Sequence, residues 1–393
     1  MARIPLKDIC RKITDGSHNP PAGVSYSQYL MISSKNVEDD NISFDEPRYL
    51  SESDFEIENR RTCIEPDDLL LTIVGTIGRV AVVPQGIPNF CLQRSVCVLK
   101  LKSAIAYPPY LMYQIQSMRK LLEQEAHGVA QKGIYLRQVE QLPVYIPCMT
   151  EQIYIASIFK KISDLIFLRK QQLAKLDELV KARFVEMFGD PVQNDRKWPL
   201  VSLKDIAEIR IGPFGTMLHK EDYIECGHAL VNPSHIVDGK ICIDPKLTIS
   251  DAKYGELASY ALQVGDVILG RRGEMGRCAV VYEDGLLCGT GSMIIRPNGK
   301  MLPYFLQNIL SNPTYRRTIE DKAVGVTMMN LNIPIVSELP VPLLPLKLQE
   351  EFIGFLAKID KSKLTIQQSL DKLEVLKKAL MQEYFGLPGC SNK

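Results

Sequence analysis

Apolar residues recur every three or four positions along two segments of this chain, one near its middle and one near its end. The apolar residues of the first segment are Ile155, Ile158, Ile162, Ile166, Leu173, Leu176 and Val180, and those of the second are Ile359, Ile366, Leu370, Leu373, Leu376 and Leu380. One position of the first series is occupied by Arg169, and two positions of the second are occupied by Lys363 and Lys377. This spacing approximates the stripe of a coiled coil and predicts two long amphipathic helices.

The ends of both predicted helices carry stop signals. Thr150 can cap the start of the first helix, and Phe188-Gly189 followed by Pro191 marks its end. The second helix ends in the same way, at Phe385-Gly386 followed by Pro388. We assign the helical segments to residues 149–190 and 346–388, with helices of about 35 residues that are roughly 50 Å long.

The segments before each helix, residues 1–148 and 191–345, have a different pattern of amino acids from the helices. They contain short β-branched runs between glycines and prolines, and short helices that follow prolines. The predicted strands are Leu69–Val74, Val96–Leu99, Val267–Leu269 and Cys278–Val281, and the predicted helices are Tyr110–Glu123 and Tyr304–Ile309. This mixture predicts a compact α+β domain in front of each long helix.

The chain repeats itself at a spacing of about 197 residues. Asp68–Val83 aligns with Asp266–Val281 (266 − 68 = 198), and eight of the sixteen positions are identical. Gln171–Gly189 aligns with Gln368–Gly386 (368 − 171 = 197), and ten of the nineteen positions are identical. A single helix cannot bury such a long stripe alone. Either each stripe packs onto its own domain, or the two helices pack on each other in antiparallel orientation, and the duplication favours the second arrangement.

Composition narrows the class of protein without revealing a partner. The 393 residues are 46% hydrophobic and 24% charged, with a net charge of +1, so charge alone gives no indication of nucleic-acid binding. The ten cysteines are scattered without a Cys-x-x-Cys pair, which is typical of reduced, cytoplasmic protein. No signal peptide and no run of eighteen apolar residues is present, so we expect neither secretion nor a membrane span.

The sequence contains none of the familiar catalytic motifs that we sought. P-loop, His-Glu-x-x-His and Gly-x-Ser-x-Gly patterns are missing. Asn19-Pro20-Pro21 lacks the aromatic residue that adenine-N6 methyltransferases place next, and Tyr107-Pro108-Pro109-Tyr110 lacks their leading polar residue. Cys226, His228 and His235 do not have the spacing of a zinc module. We therefore expect no catalytic residue and no metal site.

Local phrases of the chain resemble the specificity subunits of type I restriction–modification enzymes, and the resemblance covers essentially the whole sequence. Residues 128–134 of the first half do not match the family's sequence, whereas the corresponding residues of the second half, 325–332, do. The matching phrases are Ile13–His18 (ITDGSH), Met31–Val37 (MISSKNV), Gly212–Tyr223 (GPFGTMLHKEDY), Leu230–Ile236 (LVNPSHI), Gly270–Val280 (GRRGEMGRCAV) and Gly325–Asn332 (GVTMMNLN).

The resemblance implies an α+β chain of two pseudo-symmetric target-recognition domains, 1–148 and 191–345, separated by two long antiparallel helices that form a coiled coil. Each domain would read one half of a bipartite, asymmetric site in double-stranded DNA. The chain would dock two modification subunits, which methylate adenine, and the restriction subunits, which translocate and cleave DNA. It would have no active site or cofactor of its own, because S-adenosylmethionine, ATP and Mg belong to those partners.

Candidate contacts follow from residue type, since Arg, Lys, Asn, Gln and Ser serve both phosphate and base contacts. The candidates for DNA binding are Lys35, Asn36, Arg94, Gln131 and Lys132 in the first domain, and Lys220, Asn232, His235, Arg271, Arg272, Ser292 and Asn330 in the second. Arg79 and Arg277 occupy the same place in both repeats, so a shared structural role is at least as good an interpretation as base reading. The candidates for the coiled-coil or subunit interface are Ile162, Ile166, Leu173, Leu176, Val180, Ile359, Ile366, Leu370, Leu373 and Leu380.

Three alternatives remain open at this point. The chain could be the specificity subunit of a methyltransferase-only or related system, a methyltransferase with unrecognised motifs, or a coiled-coil protein that binds no nucleic acid.

Overall fold

The computed structural model describes residues 3–128, 132–190, 193–273, 275–323 and 330–386, and it divides into two compact units. The first unit comprises residues 1–173 and 366–393, and the second comprises residues 174–365. Each long helix therefore has its N-terminal part in one unit and its C-terminal part in the other.

The elements alternate between short strands and helices up to each long helix. In the first half they are β1 (Ile4–Pro5), α1 (Leu6–Ile9), β2 (Cys10–Asp15), β3 (Tyr29–Ile32), β4 (Val37–Glu38), β5 (Asn41–Ile42), β6 (Arg48–Leu50), α2 (Glu52–Thr62), β7 (Leu69–Thr72), β8 (Val80–Val82), β9 (Phe90–Leu92), β10 (Val96–Leu101), α3 (Pro108–Ser117), α4 (Arg119–Gln124), α5 (Leu136–Glu140), β11 (Pro143–Val144) and α6 (Met149–Phe188).

The second half repeats this order, with the 3₁₀ turn Leu203–Asp205 in place of α1 and with one additional strand, β14. Its elements are β12 (Leu200–Ser202), β13 (Ala207–Ile211), β14 (Tyr223–Ile224), β15 (His228–Val231), β16 (Ile236–Val237), β17 (Lys240–Ile241), β18 (Thr248–Ile249), α7 (Asp251–Glu256), β19 (Val267–Gly270), β20 (Cys278–Val280), β21 (Leu287–Cys288), β22 (Ser292–Pro297), α8 (Pro303–Ser311), α9 (Pro313–Asp321), α10 (Ile333–Ser337), β23 (Pro340–Pro342) and α11 (Leu346–Phe385).

The central sheet has the same topology in both units. Its strand order is β2-β10-β7-β8 in the first unit and β13-β22-β19-β20 in the second. Leu69 pairs with Val82 in one hairpin, and Val267 pairs with Val280 in the other, so the register also repeats. The predicted duplication is therefore structural as well as sequential, and the predicted α+β class is confirmed.

Each central sheet is covered on both faces. Leu69 and Leu71 of β7 pack into the core that also contains α3, whereas Leu70, between them, packs into a second core with Val96 and Val98. Val267 and Ile268 divide in the same way in the second unit. Burial on both faces explains why these strands are continuous apolar runs instead of alternating patterns.

The two long helices run antiparallel within each unit. In the first unit Lys170 Nζ lies 3.4 Å from Glu374 Oε1, and Lys377 Nζ donates to Ser163 Oγ at 2.8 Å. Along this contact the residue numbers of α6 increase while those of α11 decrease. In the second unit Lys363 pairs with Asp177. The lysines that interrupt the predicted stripe thus form polar contacts between the helices, and the antiparallel interpretation is confirmed.

The structure corrects two boundaries. The helix α6 begins at Met149, so Thr150 lies in its first turn and not at the cap. The predicted helix Tyr110–Glu123 is divided into α3 and α4 at Met118, whose φ and ψ are −90° and 5°. The long helices end at Phe188 and Phe385, and each spans 40 residues, or about 60 Å.

A buried glutamine fixes the start of each long helix. Gln152 Oε1 accepts from Tyr107 N at 2.8 Å, while its Nε2 donates to Ile105 O and Pro147 O, both at 2.9 Å. Gln349, 197 residues later, accepts from Leu302 N at 2.8 Å and donates to Leu344 O at 2.9 Å. Both side chains are fully buried, and these bonds connect the helix to the loop before α3 or α8.

The end of each long helix is also bonded through its last carbonyl groups, which have no partner within the helix. Arg3 Nη2 donates to Phe385 O at 2.8 Å and to Gly386 O at 3.0 Å in the first unit. Trp198 Nε1 donates to Phe188 O at 3.2 Å in the second. In both units the donor belongs to the chain just before the first strand, β1 or β12.

Among the described buried polar groups of the first unit that lack a hydrogen-bond partner, one is a whole side-chain amide. Gln114 of α3 is fully buried, and neither polar atom of its amide has a hydrogen-bond partner in the described part of the chain. The aligned residue of α8 is Ile309 (α3 and α8 begin at Pro108 and Pro303, and 309 − 114 = 303 − 108 = 195), which lies in an apolar core.

We expect Gln114→Leu to raise the free energy of unfolding by about 1–3 kcal/mol, because the side chain keeps its size and an unsatisfied amide is removed. Urea unfolding measures this change. The reciprocal variant Ile309→Gln is the matched control and should lose stability. A destabilised Gln114→Leu protein would show that the amide has a partner.

Candidate nucleic-acid interface

Four loop segments meet beside the central sheet of the first unit. Ser34 N donates to Ser95 Oγ at 3.0 Å, and Thr76 Oγ1 donates to Ser34 O at 3.2 Å. Ile134 N donates to Ile73 O at 2.9 Å. We call residues 33–36, 73–79, 93–95 and 132–134 the loop face of the first unit.

The second unit brings together the matching segments, residues 232–235, 271–273, 275–277, 289–292 and 330–331, which we call its loop face. Ser292 Oγ donates to Val231 O at 2.9 Å, and Arg271 N donates to Gly291 O at 2.9 Å. Leu331 N donates to Arg271 O at 3.0 Å, and the backbones of Arg272 and Asn330 form an isolated antiparallel β-bridge. Most of the predicted DNA contacts therefore lie on the two loop faces, although they are far apart in sequence.

Close approach of the backbone depends on one glycine in each unit. A Cβ on Gly16, at the end of β2, would lie 2.0 Å from Leu92 O, and a Cβ on Gly212, after β13, would lie 2.0 Å from Gly289 O. Only glycine lets the segment that follows β9 or β21 pack so tightly. The sequence interpretation did not single out these glycines as site residues, although their position in both repeats was a usable signal.

The candidates of the first unit divide into exposed and structural side chains. Lys35, Arg94 and Lys132 are exposed on the loop face, whereas Asn36 is 2% exposed. The Oδ1 atom of Asn36 accepts from Ser33 N at 3.1 Å, and its Nδ2 donates to Asp45 O at 3.0 Å. Asn36 thus holds the shape of the loop that carries Lys35. Gln131 lies outside the described residues.

His235 takes the place of Asn36 in the second unit. It is 7% exposed, and its Nδ1 lies 2.9 Å from Leu230 O and 3.2 Å from Asn232 N. Ser292 is fully buried, with its hydroxyl bonded to Val231 O. Asn232 is half-buried, and its Oδ1 accepts from Gly291 N at 3.5 Å. These side chains hold the loops together in this structure.

Two neighbouring arginines share one asparagine on the second loop face. Arg271 Nη1 and Arg272 Nε each donate to Asn330 Oδ1 at 3.3 Å. Burial lowers the pKa of the Arg271 guanidinium, and the positive charge of Arg272 lowers it further. An anion at this place would relieve both effects, since it would neutralise charge that is partly desolvated.

Lys220 stands apart from these candidates. It is exposed in the 3₁₀ turn Lys220–Asp222, and none of the described contacts connects it to the loop face.

The apolar interface candidates line the long helices as follows. Ile162, Ile359 and Leu370 are buried. The others are half-buried, namely Ile166, Leu173, Leu176, Val180, Ile366, Leu373 and Leu380.

The described residues contain no cluster of three or more His, Cys, Asp or Glu side chains that could hold a metal ion. His228 lies against Asp251, with 2.9 Å between Nε2 and Oδ1, and His235 lies in its loop. No described helix is long and apolar enough to cross a membrane.

Comparison with known proteins gives a consistent result. The family model for the type I restriction modification DNA specificity domain matches twice, over residues 25–178 and 195–377. The chain is 20% identical over 345 residues to the type I restriction enzyme MjaVIII specificity subunit of Methanocaldococcus jannaschii, which covers 83% of this chain and 80% of the relative. It is 28% identical over 118 residues to the EcoBI specificity subunit of Escherichia coli, which covers 30% of this chain and 24% of the relative.

Solved structures agree on the fold. The S subunit of a type I restriction–modification system from M. genitalium superimposes with a TM-score of 0.58 at 14% identity, over 99% of this chain and 96% of that one. A chain from a study of complex assembly and conformational transition of the type I R-M system gives a TM-score of 0.60 at 14% identity, over 98% of both chains.

Proposed function

The chain belongs to the type I restriction–modification DNA specificity family, and we propose that each of its units reads one half of a bipartite, asymmetric site in double-stranded DNA. The observation that carries this proposal is the contrast within the repeat. Sheet order and register are the same in both units, whereas the loop faces present different side chains. Two different sets of polar side chains on one framework suit two different base sequences.

The side chains proposed to contact DNA are exposed or half-buried, except for Arg271, which is 5% exposed. In the first unit they are Lys35, Arg94 and Lys132, and in the second they are Arg271, Arg272 and Asn330. Asn36, His235, Asn232 and Ser292 would position these loops. Arg271 is among the proposed DNA contacts despite its burial, because its guanidinium ends beside Arg272 and Asn330.

We also propose that the long helices dock two modification subunits, which would bring S-adenosylmethionine, and that restriction subunits would bring ATP and Mg. Exposed apolar side chains support a repeated docking surface, because they recur at the spacing of the repeat. Phe167 and Leu364 are both 60% exposed, and Leu179 and Leu376 are 47% and 46% exposed. Pairs at equivalent positions suit two identical partners.

The proposal predicts the outcome of selection from random duplexes by the chain in complex with modification subunits. The bound DNA should share two different half-sites at a constant spacing. Arg272→Gln should relax the preference at one or two base pairs of one half-site, by about 1–3 kcal/mol or roughly 5- to 150-fold, and should leave the other half-site unchanged. Lys246→Gln, which changes an exposed cation on a turn of the same unit, is the matched control.

Two results would contradict this function. A wild-type complex that enriches no two-part motif would exclude bipartite reading. Tight binding of S-adenosylmethionine by the isolated chain would favour a methyltransferase over a specificity subunit. A complex that methylates its site but recruits no restriction subunit would instead identify a methyltransferase-only system.

A further inference from the structure

One part of the loop face is the same in both units. The turn after β7 and the turn after β19 each have glycine at the same two positions and arginine directly after the second, as Gly75, Gly78 and Arg79 in one turn and as Gly273, Gly276 and Arg277 in the other. All four glycines have positive φ, from +68° to +84°. The side chains beside this turn differ, since Ile73 and Val74 align with Arg271 and Arg272 (271 − 73 = 272 − 74 = 198).

A second arginine crosses each turn. Arg119 is the first residue of α4, and Arg316, 197 residues later, is the fourth residue of α9. A Cβ on Gly78 would lie 3.1 Å from Arg119 Cγ, and a Cβ on Gly276 would lie 2.7 Å from Arg316 Cγ. The second glycine therefore leaves room for an arginine stem as well as permitting the turn, and two guanidinium groups accompany the turn in each unit.

The arginine that crosses each turn is oriented by a carboxylate of its own unit. Arg119 Nη2 donates to both carboxylate oxygens of Asp39 at 2.6 Å and to Gly78 O at 3.2 Å, and its Nε donates to Gly78 O at 3.4 Å. Arg316 Nε donates to Glu320 Oε1 at 3.0 Å, and Arg277 Nη1 donates to Ile236 O at 3.2 Å. A guanidinium has five N–H donors in a planar fork, so the bonds of Arg119 and Arg316 orient these two groups and leave the Nη1 atom of each able to donate.

A cavity adjoins each turn. In the first unit it measures about 450 Å³, and its charged lining residues are Arg79, Arg119, Lys132 and Glu123. In the second unit it measures about 270 Å³, and its charged lining residues are Arg277, Arg316 and Asp238. Cations outnumber carboxylates in both linings, although the whole chain is nearly neutral.

We propose that each arginine pair, Arg79 with Arg119 and Arg277 with Arg316, binds a phosphate of the DNA backbone beside the half-site that its own unit reads. The reason is that phosphates are the same in every sequence, whereas bases are not. Side chains that read two different half-sites must differ between the units, and side chains that hold the backbone need not. This inference rests on the proposed function and assigns the invariant part of the loop face to it.

The test uses the chain in complex with modification subunits, with Arg79→Gln, Arg277→Gln and the double variant. The affinity for the selected site and for random duplex is measured at several salt concentrations. Each lost phosphate contact should reduce the slope of log K against log [salt] by about one. Each single variant should weaken both kinds of DNA by the same factor, roughly tenfold, and should leave the selected motif unchanged. Arg79→Lys and Arg277→Lys, which keep the charge, should retain the slope.

The other outcomes are distinct. An unchanged slope and affinity would overturn the phosphate contact, and so would a changed preference at a base pair, which would mean base reading. Loss of modification subunits at an unchanged slope would also overturn it, because the turn would then be a protein interface. A wild-type complex that selects no two-part motif would refute the proposed function, while the slopes on random duplex would still decide this inference.

Discussion

Replacing Phe385 with alanine should destabilise the first unit by about 3–5 kcal/mol, and Phe188→Ala should destabilise the second unit to the same extent. Phe385 is the last residue of α11, yet it is 2% exposed in the core of the N-terminal domain. Its ring lies 5.4 Å from that of Phe159 and 5.5 Å from that of Tyr110. Phe188, the last residue of α6, packs in the second unit at 4.6 Å from Phe305 and 5.3 Å from Phe352.

The expected loss is large because each ring fills a space between a long helix and a globular core. Removing it takes away apolar contacts and leaves a cavity that rigid neighbours cannot close. The loss also detaches the C-terminal end of a helix from the domain that it completes. Position along the chain gives no warning of this effect, since terminal helical residues are often exposed and tolerant.

Urea unfolding measures each loss of stability, and hydrogen exchange of the backbone amides assigns the loss to one unit. Phe385→Ala should increase exchange in the core around Tyr110, and Phe188→Ala should increase it around Phe305. Trp198 is the single tryptophan of the chain, and its indole donates to Phe188 O, so its fluorescence should respond to Phe188→Ala.

Two substitutions on the same helices serve as controls. Val185 and Val375 are 57% and 68% exposed, so Val185→Ala and Val375→Ala should each change stability by no more than about 0.5 kcal/mol. Equal losses in all four variants would contradict the packing role of the phenylalanines, because replacement by alanine raises helix propensity and a loss would then not depend on burial.

Lys100→Met should be comparably harmful, at about 3–5 kcal/mol. Lys100 Nζ is buried on β10 and donates to Asp68 Oδ2 at 2.6 Å and to Cys63 O at 2.6 Å. The Asp68 carboxylate is 2% exposed and also accepts from Glu65 N at 2.8 Å. Without the lysine, a buried carboxylate would keep its charge without a cation to compensate it.

The loss should depend on pH. Burial raises the pKa of Asp68 above its ordinary value, and the hydrogen bond from Lys100 is the largest influence that lowers it. Removing Lys100 should therefore raise the pKa of Asp68 in the folded state still further. A carboxyl whose folded pKa exceeds its unfolded pKa binds its proton more tightly when folded, so stability falls as pH rises between those two values. The variant should regain part of its stability as the pH is lowered from 7 towards the ordinary pKa of aspartate.

Unfolding free energies at pH 7 and pH 5 test this expectation, relative to Lys120→Met, which removes an exposed lysine of the same unit. The double variant Lys100→Met/Asp68→Asn should recover most of the loss, because a neutral amide can still accept from Glu65 N. If the double variant is as unstable as the single one, the cost does not come from the unpaired carboxylate.

The same pair recurs in the second unit with arginine as the cation. Arg296 donates to Asp266 at 2.7 and 2.8 Å, and Asp266 is 1% exposed. The aspartate was visible in the sequence as the first residue of the repeated phrase. Its partners were not, because only pairing of β10 with β7 and of β22 with β19 brings Lys100 and Arg296 to the aspartates.

The sequence selected candidate residues that the fold brings together on the two loop faces, but it did not distinguish their structural roles. Residue type singled out Asn36, His235 and Ser292 for DNA contact, but these side chains are buried in loop-shaping hydrogen bonds. Residue type alone does not distinguish an amide that contacts a base from one that stabilises a turn. The hydrogen bonds of the folded chain identify the loop-stabilising side chains, and some of them join residues that are distant in sequence, such as Ser292 and Val231.

The duplication, the two long helices, the α+β class and the family could all be predicted from the amino-acid sequence, because each rests on periodicity or on order along the chain. How those parts are completed became visible in the folded chain. It placed Phe385 in the N-terminal core and Phe188 in the other, paired the stripe lysines Lys363 and Lys377 across the helices, and brought the loop segments together. The physical reason is that local patterns report which face of an element is apolar, whereas the partner of that face is chosen by packing among residues that are distant in sequence.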